Sequence, residues 1–164
     1  MNAMSPILAA MDDVQFREER FSDLRDEGSF LFKAHWLEAN VDPSCPLDVD
    51  WEIYEKFEAL DLAVCVTARA GIRLIGYAVY MIVPSMHYRG RRLGVADVFY
   101  LMPFYRRGWV GVQLFRSAED VLRQRGVHVM ETRVKNHVKD GRVGSIMQRL
   151  GAVCVETQWR KALD

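Results

Sequence analysis

The segment from residue 101 to residue 111 has residue types that suit an anion site. It holds Arg106, Arg107, Gly108 and Gly111, directly before an apolar pattern with helical spacing. The first turn of a helix leaves backbone N–H groups without intrahelical partners, and the helix dipole adds partial positive charge there. Glycine lets a phosphate approach the backbone closely. Taken alone, the segment predicts either a phosphate site or a glycine-capped helix with solvated arginines.

Asp97 is the first candidate for proton transfer. It lies in the middle of the apolar run 94–102, and strand alternation places it on the same face as Phe99 and Leu101. A carboxylate there would be partly desolvated, which suits a base that takes a proton from an ammonium group. The alternative is a structural carboxylate that caps a loop or pairs with an arginine such as Arg133.

Other side chains compete for roles in chemistry or in substrate binding. Glu131, in a further strand pattern, is a second candidate base or a surface residue. His87 and Tyr88 follow a long apolar run and either contact a substrate or close a hairpin. His35 and Trp36 lie in the first helical pattern, where an aromatic ring could attract a cationic amine or pack in the core.

Hydrophobic periodicity indicates the elements that position these residues. Gly28 is a weak point in the first predicted helix, and Asp50 is a plausible N-cap for the second. Helical spacing covers residues 22–40, 51–60, 110–126 and 140–150. Strand patterns cover residues 14–20, 62–66, 72–83, 94–102, 127–134, 152–156 and 158–162. The order predicts one mixed α/β domain over residues 1–164, with residues 1–13 as a flexible lead-in.

Composition excludes several classes of protein. Half of the 164 residues are hydrophobic, which is enough for a core without metal or disulfide support. The 22 basic and 22 acidic residues balance, so non-specific binding to nucleic acid is disfavoured. The three cysteines are widely spaced and odd in number, so we expect no metal site. Residues 1–11 lack the basic start of a signal peptide, and we expect a cytoplasmic protein without a membrane anchor.

The arginine-containing segment resembles the coenzyme A pyrophosphate loop of the GNAT superfamily, Pro-x-Tyr-Arg-x-x-Gly-x-Gly. Pro103, Tyr105, Arg106 and Gly111 match this motif, while Gly108 is displaced by one position and Trp109 stands where the middle glycine is usual. Two further segments, at residues 75–77 and 150–152, are similar to family positions, and the likeness covers about residues 14–163.

A second, looser likeness concerns candidate site residues. The set His35, Trp36, His87, Tyr88 and Asp97 is similar to small GNAT proteins of tailed phages. A phage origin would place the protein in the host cytoplasm.

The resemblance implies a fold and a binding mode for acetyl-CoA. The fold is a mixed, mainly antiparallel sheet flanked by helices, with strands 4 and 5 splayed apart. Pantetheine would bond the backbone of Phe99 and Leu101. The pyrophosphate would be held by the amides of Arg107, Gly108, Val110 and Gly111, with Arg106 adding charge. The Trp109 side chain must then point away from the phosphates.

The resemblance also implies acetyl transfer to a primary amine of a small molecule or a protein. The family's thiolate-protonating tyrosine corresponds to Met147, so Tyr105, Ser145 or water would take its place. A homodimer would fit, since relatives often dimerise. One alternative is an acyl-CoA-binding or interaction module without turnover. The other is a phage-type modifier of nucleic acid or of a nucleic-acid-associated protein, suggested by the basic run 89–92.

Overall fold

A five-stranded sheet forms the centre of the protein in this computed structural model, which describes residues 13–40, 42, 44–135, 142–161 and 163. Its strands lie in chain order from one edge to the other. The first four pair antiparallel, and the fifth runs parallel to the fourth. The strands are β1 (Val14–Glu18), β2 (Ala63–Ala70), β3 (Arg73–Pro84), β4 (Arg92–Leu101) and β5 (Val129–Glu131).

Helices cover both faces of this sheet, which confirms the predicted GNAT-type mixed α/β fold. They are α1 (Phe21–Glu27), α2 (Ser29–Ala39), α3 (Trp51–Ala59), α4 (Val110–Gln124) and α5 (Arg142–Arg149). One core joins the sheet to α4 through Leu114, Ala118 and Leu122. A second core joins the opposite face to α1 and α2 through Phe21 and Leu31. We call these two layers the α4 core and the α1–α3 core.

Helix boundaries follow local signals that the sequence carries. The single helix predicted over residues 22–40 is broken at Gly28, which separates α1 from α2. The Asp50 side chain accepts a hydrogen bond from the Ile53 N–H at 3.0 Å and caps α3, as predicted. Residue 140, the predicted start of the last helix, lies outside the described residues, and α5 is described from Arg142.

The parallel pair β4–β5 is short. Leu93, Gly94 and Val95 pair with Val129, Met130 and Glu131, and the strand predicted over residues 127–134 is therefore longer than β5. β4 continues through residues 96–101, where no described strand pairs with it on the β5 side. The two strands thus diverge toward the C-terminal end of β4, which confirms the predicted splay.

A β-bulge interrupts β4 at Asp97. Val98 pairs with Val79 and Ala96 pairs with Tyr80, so Asp97 has no partner residue on β3. The bulge puts Ala96 on the α4 core and Val98 on the α1–α3 core, with one extra residue between them. Simple alternation along this strand therefore fails at one position.

A buried ion cluster fixes the chain between β1 and α1 to the sheet. The Arg69 guanidinium donates to both Glu19 oxygens at 2.6 and 2.7 Å and to both Glu27 oxygens at 2.7 Å. Burial raises the pKa of Glu19, but hydrogen bonds from Arg69, Arg17 and Thr67 outweigh it and lower that pKa to about 2. Glu19 is therefore charged in the folded protein at neutral pH.

The C-terminal segment differs from its prediction. The alternating runs 152–156 and 158–162 predict strands, but residues 152–161 form no strand and are exposed, and residue 162 lies outside the described residues. Trp159, for example, is 91% exposed. Alternation gives a segment strand propensity, but a strand also needs a partner edge, and this segment pairs with no described strand.

Candidate active site

The turn between β4 and α4, residues 102–111, presents backbone N–H groups. We call it the phosphate turn after its predicted ligand. A short 3-10 helix (Pro103–Arg106) follows β4, and Gly108 then adopts a left-handed conformation with φ +75° before α4 begins at Val110. The α4 N-terminus has no side-chain cap and no acidic residue in its first turn. Among the described residues, no hydrogen bond partner is present for the N–H groups of Gly108, Val110 and Gly111. This end of α4 is therefore open to an anion.

Gly111 and Trp109 determine how closely other groups approach this turn. A side chain at Gly111 would place its Cβ 3.3 Å from Ile146 Cδ1, so the absence of a side chain lets α5 approach α4 closely. The indole of Trp109 is 63% exposed, so it does not fill the core under the turn.

Arg106 lies at the end of β4 but reaches toward α2. Its Nε donates to the Leu101 carbonyl at 2.7 Å, and its two terminal nitrogens donate to the Glu38 carboxylate at 2.7 and 2.6 Å. The guanidinium also lies 5.2 Å from the centre of the Tyr100 ring. Arg106 was predicted to add charge at the phosphate turn, but these contacts direct its side chain to α2. Arg107, by contrast, is exposed at the turn.

The space beside residues 96–101 of β4, where β5 no longer pairs with that strand, is called the cleft here. The backbone of β4 forms one wall of it. Met102 N–H donates to the Ile75 carbonyl on β3 at 2.8 Å. Because backbone groups alternate in direction along a strand, those of Phe99 and Leu101 point away from β3, toward the side from which β5 has diverged. These are the two residues predicted to bond pantetheine.

Asp97 stands at the bulge beside this wall. It is exposed, and its carboxylate accepts a hydrogen bond from the Tyr54 hydroxyl on α3. Tyr54 packs against the α1–α3 core, whereas Phe99 and Leu101 belong to the α4 core. The predicted shared face of Asp97, Phe99 and Leu101 is therefore wrong, because the bulge changes the phase of the strand. The predicted desolvation of Asp97 is also wrong.

Tyr54 is a site residue that the sequence reasoning missed. Burial, followed by the hydrogen bond to Asp97, raises the pKa of the Tyr54 hydroxyl, which keeps its proton at neutral pH. The only signal was an aromatic residue inside the predicted second helix, and nothing in the sequence connects that helix to position 97.

His35 and Trp36 meet at a cavity between the helices α1–α3 and the sheet. His35 Nδ1 is 2.6 Å from the Tyr77 hydroxyl, and the imidazole stacks on Tyr100 with 5.1 Å between ring centres. Burial, and then the charge of Lys135, lowers the pKa of His35 to about 4, so the ring is neutral at pH 7.

The cavity beside these rings measures about 500 Å³. Its floor is formed by sheet residues including Tyr77 and Val98, and its walls by aromatic residues of the helices. Val98 follows Asp97 directly, so the cavity and the bulge adjoin. The aromatic wall residues that contact the space are Phe21, Phe32, His35, Trp36, Trp51 and Tyr54.

Lys135 is a second residue that the sequence reasoning missed. Its ammonium group donates to the Ala39 carbonyl at 2.8 Å, so the chain after β5 is attached to the end of α2. Burial and the charge of Arg160 lower the pKa of Lys135, while the charge of Asp97 acts in the opposite direction. The segment after β5 therefore carries a cation within electrostatic reach of Asp97.

The remaining predicted residues are distributed over the fold. Glu131 is half-buried, and because Met130 packs against the α4 core, alternation directs Glu131 to the same face as Asp97. Tyr105 is buried in the α4 core. His87 and Tyr88 are exposed in the β3–β4 loop, at the opposite end of β4 from the phosphate turn. Glu131 therefore shares a face of the sheet with Asp97, and His35 and Trp36 line the cavity whose floor includes the adjacent Val98.

Solved structures of acetyltransferases share this fold. An aminoglycoside acetyltransferase from an uncultured soil metagenomic sample, in complex with sisomicin, is 11% identical, with a TM-score of 0.71 over 93% of this chain and 98% of that chain. The ribosomal-protein-alanine N-acetyltransferase of Brucella melitensis biovar Abortus 2308 is 16% identical, with a TM-score of 0.69 over 92% and 99%. A predicted acetyltransferase from Clostridium acetobutylicum, with acetyl-CoA, is 16% identical, with a TM-score of 0.68 over 92% and 96%.

Across the described ranges, none of the helices has the length and apolar character needed to cross a bilayer.

Sequence comparison gives the family directly. No curated protein sequence matches the chain. The sequence profile of the acetyltransferase (GNAT) family matches residues 19–141, which is most of the chain. The protein therefore belongs to the GNAT acetyltransferase family.

Proposed function

We propose that the protein transfers the acetyl group of acetyl-CoA to a primary amine in the cytoplasm. The observation that carries this proposal is the combination of an open α4 N-terminus with an unpaired β4 edge that ends at it. Both features offer backbone hydrogen-bonding groups at the same end of β4, although the Leu101 carbonyl also accepts a hydrogen bond from Arg106, and a long, diphosphate-containing co-substrate requires such groups. Family membership and the neighbour solved with acetyl-CoA support the same co-substrate.

The residues at the phosphate turn fit this co-substrate. The N–H groups of Gly108, Val110 and Gly111 would bind the diphosphate, and exposed Arg107 would add charge. Arg106 would act indirectly, because its contacts with Glu38 and Leu101 hold the end of β4. The backbone of Phe99 and Leu101 would bond the pantetheine amides.

Asp97 is the proposed general base. When bound, acetyl-CoA supplies a thioester carbon that the amine nitrogen attacks, so that an N–C bond forms and the C–S bond breaks. Asp97 would take the proton that the ammonium group must lose, and the Tyr54 hydroxyl would orient its carboxylate. Glu131, on the same face, is the competing base. The burial of Tyr105 in the α4 core favours solvent as the proton source for the leaving thiolate.

Two solved neighbours are named for amine acceptors. One is an aminoglycoside acetyltransferase and the other a ribosomal-protein-alanine N-acetyltransferase. Their names support an amine as the acceptor here, but the two acceptors differ in size and charge. The class of amine therefore has to be argued from this chain's own residues.

The test begins with binding and continues to turnover. We expect acetyl-CoA to raise the melting temperature and thiol release to require an added amine. Replacing Asp97 with Asn should lower turnover by about 100-fold or more while the melting shift remains. Glu131→Gln is the matched control, with a small effect if Asp97 is the base. Absence of any melting shift would refute the proposal, and binding without turnover across an amine panel would favour a binding module.

A further inference from the structure

We propose that the acceptor is an amine with an aromatic or branched apolar body, which binds in the cavity between α1–α3 and the sheet. The inference rests on the proposed transferase function and specifies its substrate class. It follows from the lining of the cavity, from the pairing of the polar groups there, and from the position of Asp97 at its edge.

The size and lining of the cavity suit a small apolar molecule. A volume of about 500 Å³ falls within the range of roughly 300–1,000 Å³ that is usual for small-molecule sites. Trp36, Trp51 and Phe32 contribute ring surfaces, and Val79 and Val98 contribute aliphatic floor. A flat aromatic or branched aliphatic group would bury its surface against these side chains.

The polar groups on the aromatic wall of the cavity already have partners. His35 is hydrogen-bonded to Tyr77, and Tyr54 is hydrogen-bonded to Asp97. Among the described residues, no buried side-chain nitrogen or oxygen lacks a hydrogen bond. A polyhydroxylated or polycationic acceptor would lose its hydration without gaining equivalent hydrogen bonds inside, which is costly. The interior therefore selects against sugars and polyamines.

The amino group has a place at the edge of the cavity. Asp97 precedes the floor residue Val98 and accepts a hydrogen bond from the wall residue Tyr54, so its carboxylate lies beside the cavity. Neighbouring aromatic rings attract a cation, and neutral His35 does not repel it. One ammonium at Asp97 would thus be compatible with an apolar body inside.

Charged side chains at the rim limit the acceptor further. Lys135, Arg160, Asp48 and Asp50 also line the cavity. Asp50 is engaged in capping α3, and Lys135 is held by the Ala39 carbonyl. Lys135 and Arg160 would repel a second ammonium placed beside them, which disfavours diamines whose far amine reaches that part of the cavity.

The first experiment compares ligands on the unaltered protein. Binding of 2-phenylethylamine, ethylamine, spermidine and kanamycin is followed by tryptophan fluorescence and calorimetry, alone and with saturating coenzyme A. We expect 2-phenylethylamine to bind at least about tenfold more tightly than the other three, because only it combines one ammonium with a ring. Equal or tighter binding of spermidine or kanamycin would overturn the inference. So would the absence of 2-phenylethylamine binding under both conditions.

The second experiment places the ligand in the cavity. Trp36→Leu removes a wall ring, and Phe30→Leu removes an exposed ring from the same helix outside the cavity. We expect the first change to weaken 2-phenylethylamine binding by about tenfold and the second to leave it unchanged. Equal effects of both changes would show binding elsewhere. The ligand comparison needs no variant, so a folding defect in Trp36→Leu would not remove the test.

The two proposals fail separately. If acetyl-CoA raises the melting temperature but 2-phenylethylamine does not bind, the acceptor class is wrong and the transferase proposal stands. If 2-phenylethylamine binds in a Trp36-dependent way but acetyl-CoA does not bind, the cavity is a ligand site and the transferase proposal fails.

Discussion

Gly108 offers the sharpest test of the phosphate turn. Its φ of +75° is unfavourable for any residue with a side chain, and Gly90 in the β3–β4 loop has a similar φ of +81° with open space around it. Replacing either glycine with Ala imposes a similar strain of about 1–2 kcal/mol. Only Gly108 lies at the turn that is expected to bind the diphosphate. Gly90→Ala is therefore a matched control.

The expected magnitude follows from linkage between binding and folding. At a concentration of 100 times Kd, acetyl-CoA stabilises the folded state by about 2.7 kcal/mol. Displacing one N–H from a phosphate oxygen removes a charge-assisted hydrogen bond, and a loss of about 1.4 kcal/mol weakens binding about tenfold. At the same concentration the stabilisation then falls to about 1.4 kcal/mol. The melting shift of Gly108→Ala should be about half that of the unaltered protein.

Thermal melts with and without acetyl-CoA provide the assay. Both variants should melt a few degrees lower than the unaltered protein when no ligand is present, because about 1 kcal/mol corresponds to roughly 2–4 °C at this chain length. Gly90→Ala should keep the full ligand-induced shift. An undiminished shift in Gly108→Ala would show that this turn does not hold the diphosphate.

Two further predictions concern hydroxyl and carboxylate groups. Tyr54→Phe removes the hydrogen bond to the charged Asp97 and should lower kcat by about tenfold, with the KM for acetyl-CoA unchanged. An unaltered kcat would contradict the orienting role of Tyr54. Glu19→Gln should cost about 3–5 kcal/mol in urea unfolding because it breaks a buried pair with Arg69, whereas Glu52→Gln, from an exposed pair with Lys56, should cost under about 1 kcal/mol. The pKa of Glu19 is about 2 in the folded protein, below its ordinary 4.5. The contribution of Glu19 to the free energy of unfolding is therefore present above pH 4.5 and is lost as pH falls toward 2. Equal loss of stability in acid for Glu19→Gln and the unaltered protein would refute this assignment.

Hydrophobic periodicity located most helices and strands because the burial of one face of each element dictates the spacing of its apolar residues. The stripe on α4 and the apolar runs of β2 and β3 correspond to core residues on both layers. Asp50 could be assigned as a cap from its position alone, since capping depends only on neighbouring backbone N–H groups. The backbone conformation of the turn before α4 was predictable for the same reason, because it depends on adjacent residues, while phosphate binding there stays a prediction.

Contacts between distant segments could not be predicted. The Tyr54–Asp97 and Arg106–Glu38 contacts join residues far apart in the chain, and a single sequence contains no signal for such pairs. The face of Asp97 was predicted incorrectly because alternation assumes a regular strand. Strands were predicted over residues 152–156 and 158–162 because alternation reports the strand propensity of a segment and does not show whether a partner strand lies beside it.

The pairing of β4 with β3 shows which part of the sheet depends on Asp97. On either side of this residue, β3 and β4 match in one continuous ladder, Val79 with Val98 and Tyr80 with Ala96. A chain shortened by this one residue would keep every other side chain on its present layer. The ladder between β3 and β4 therefore does not use Asp97, which is the additional residue of the bulge. Asp97 is exposed and belongs to neither core, so its substitution should affect the proposed chemistry more than the packing of the sheet.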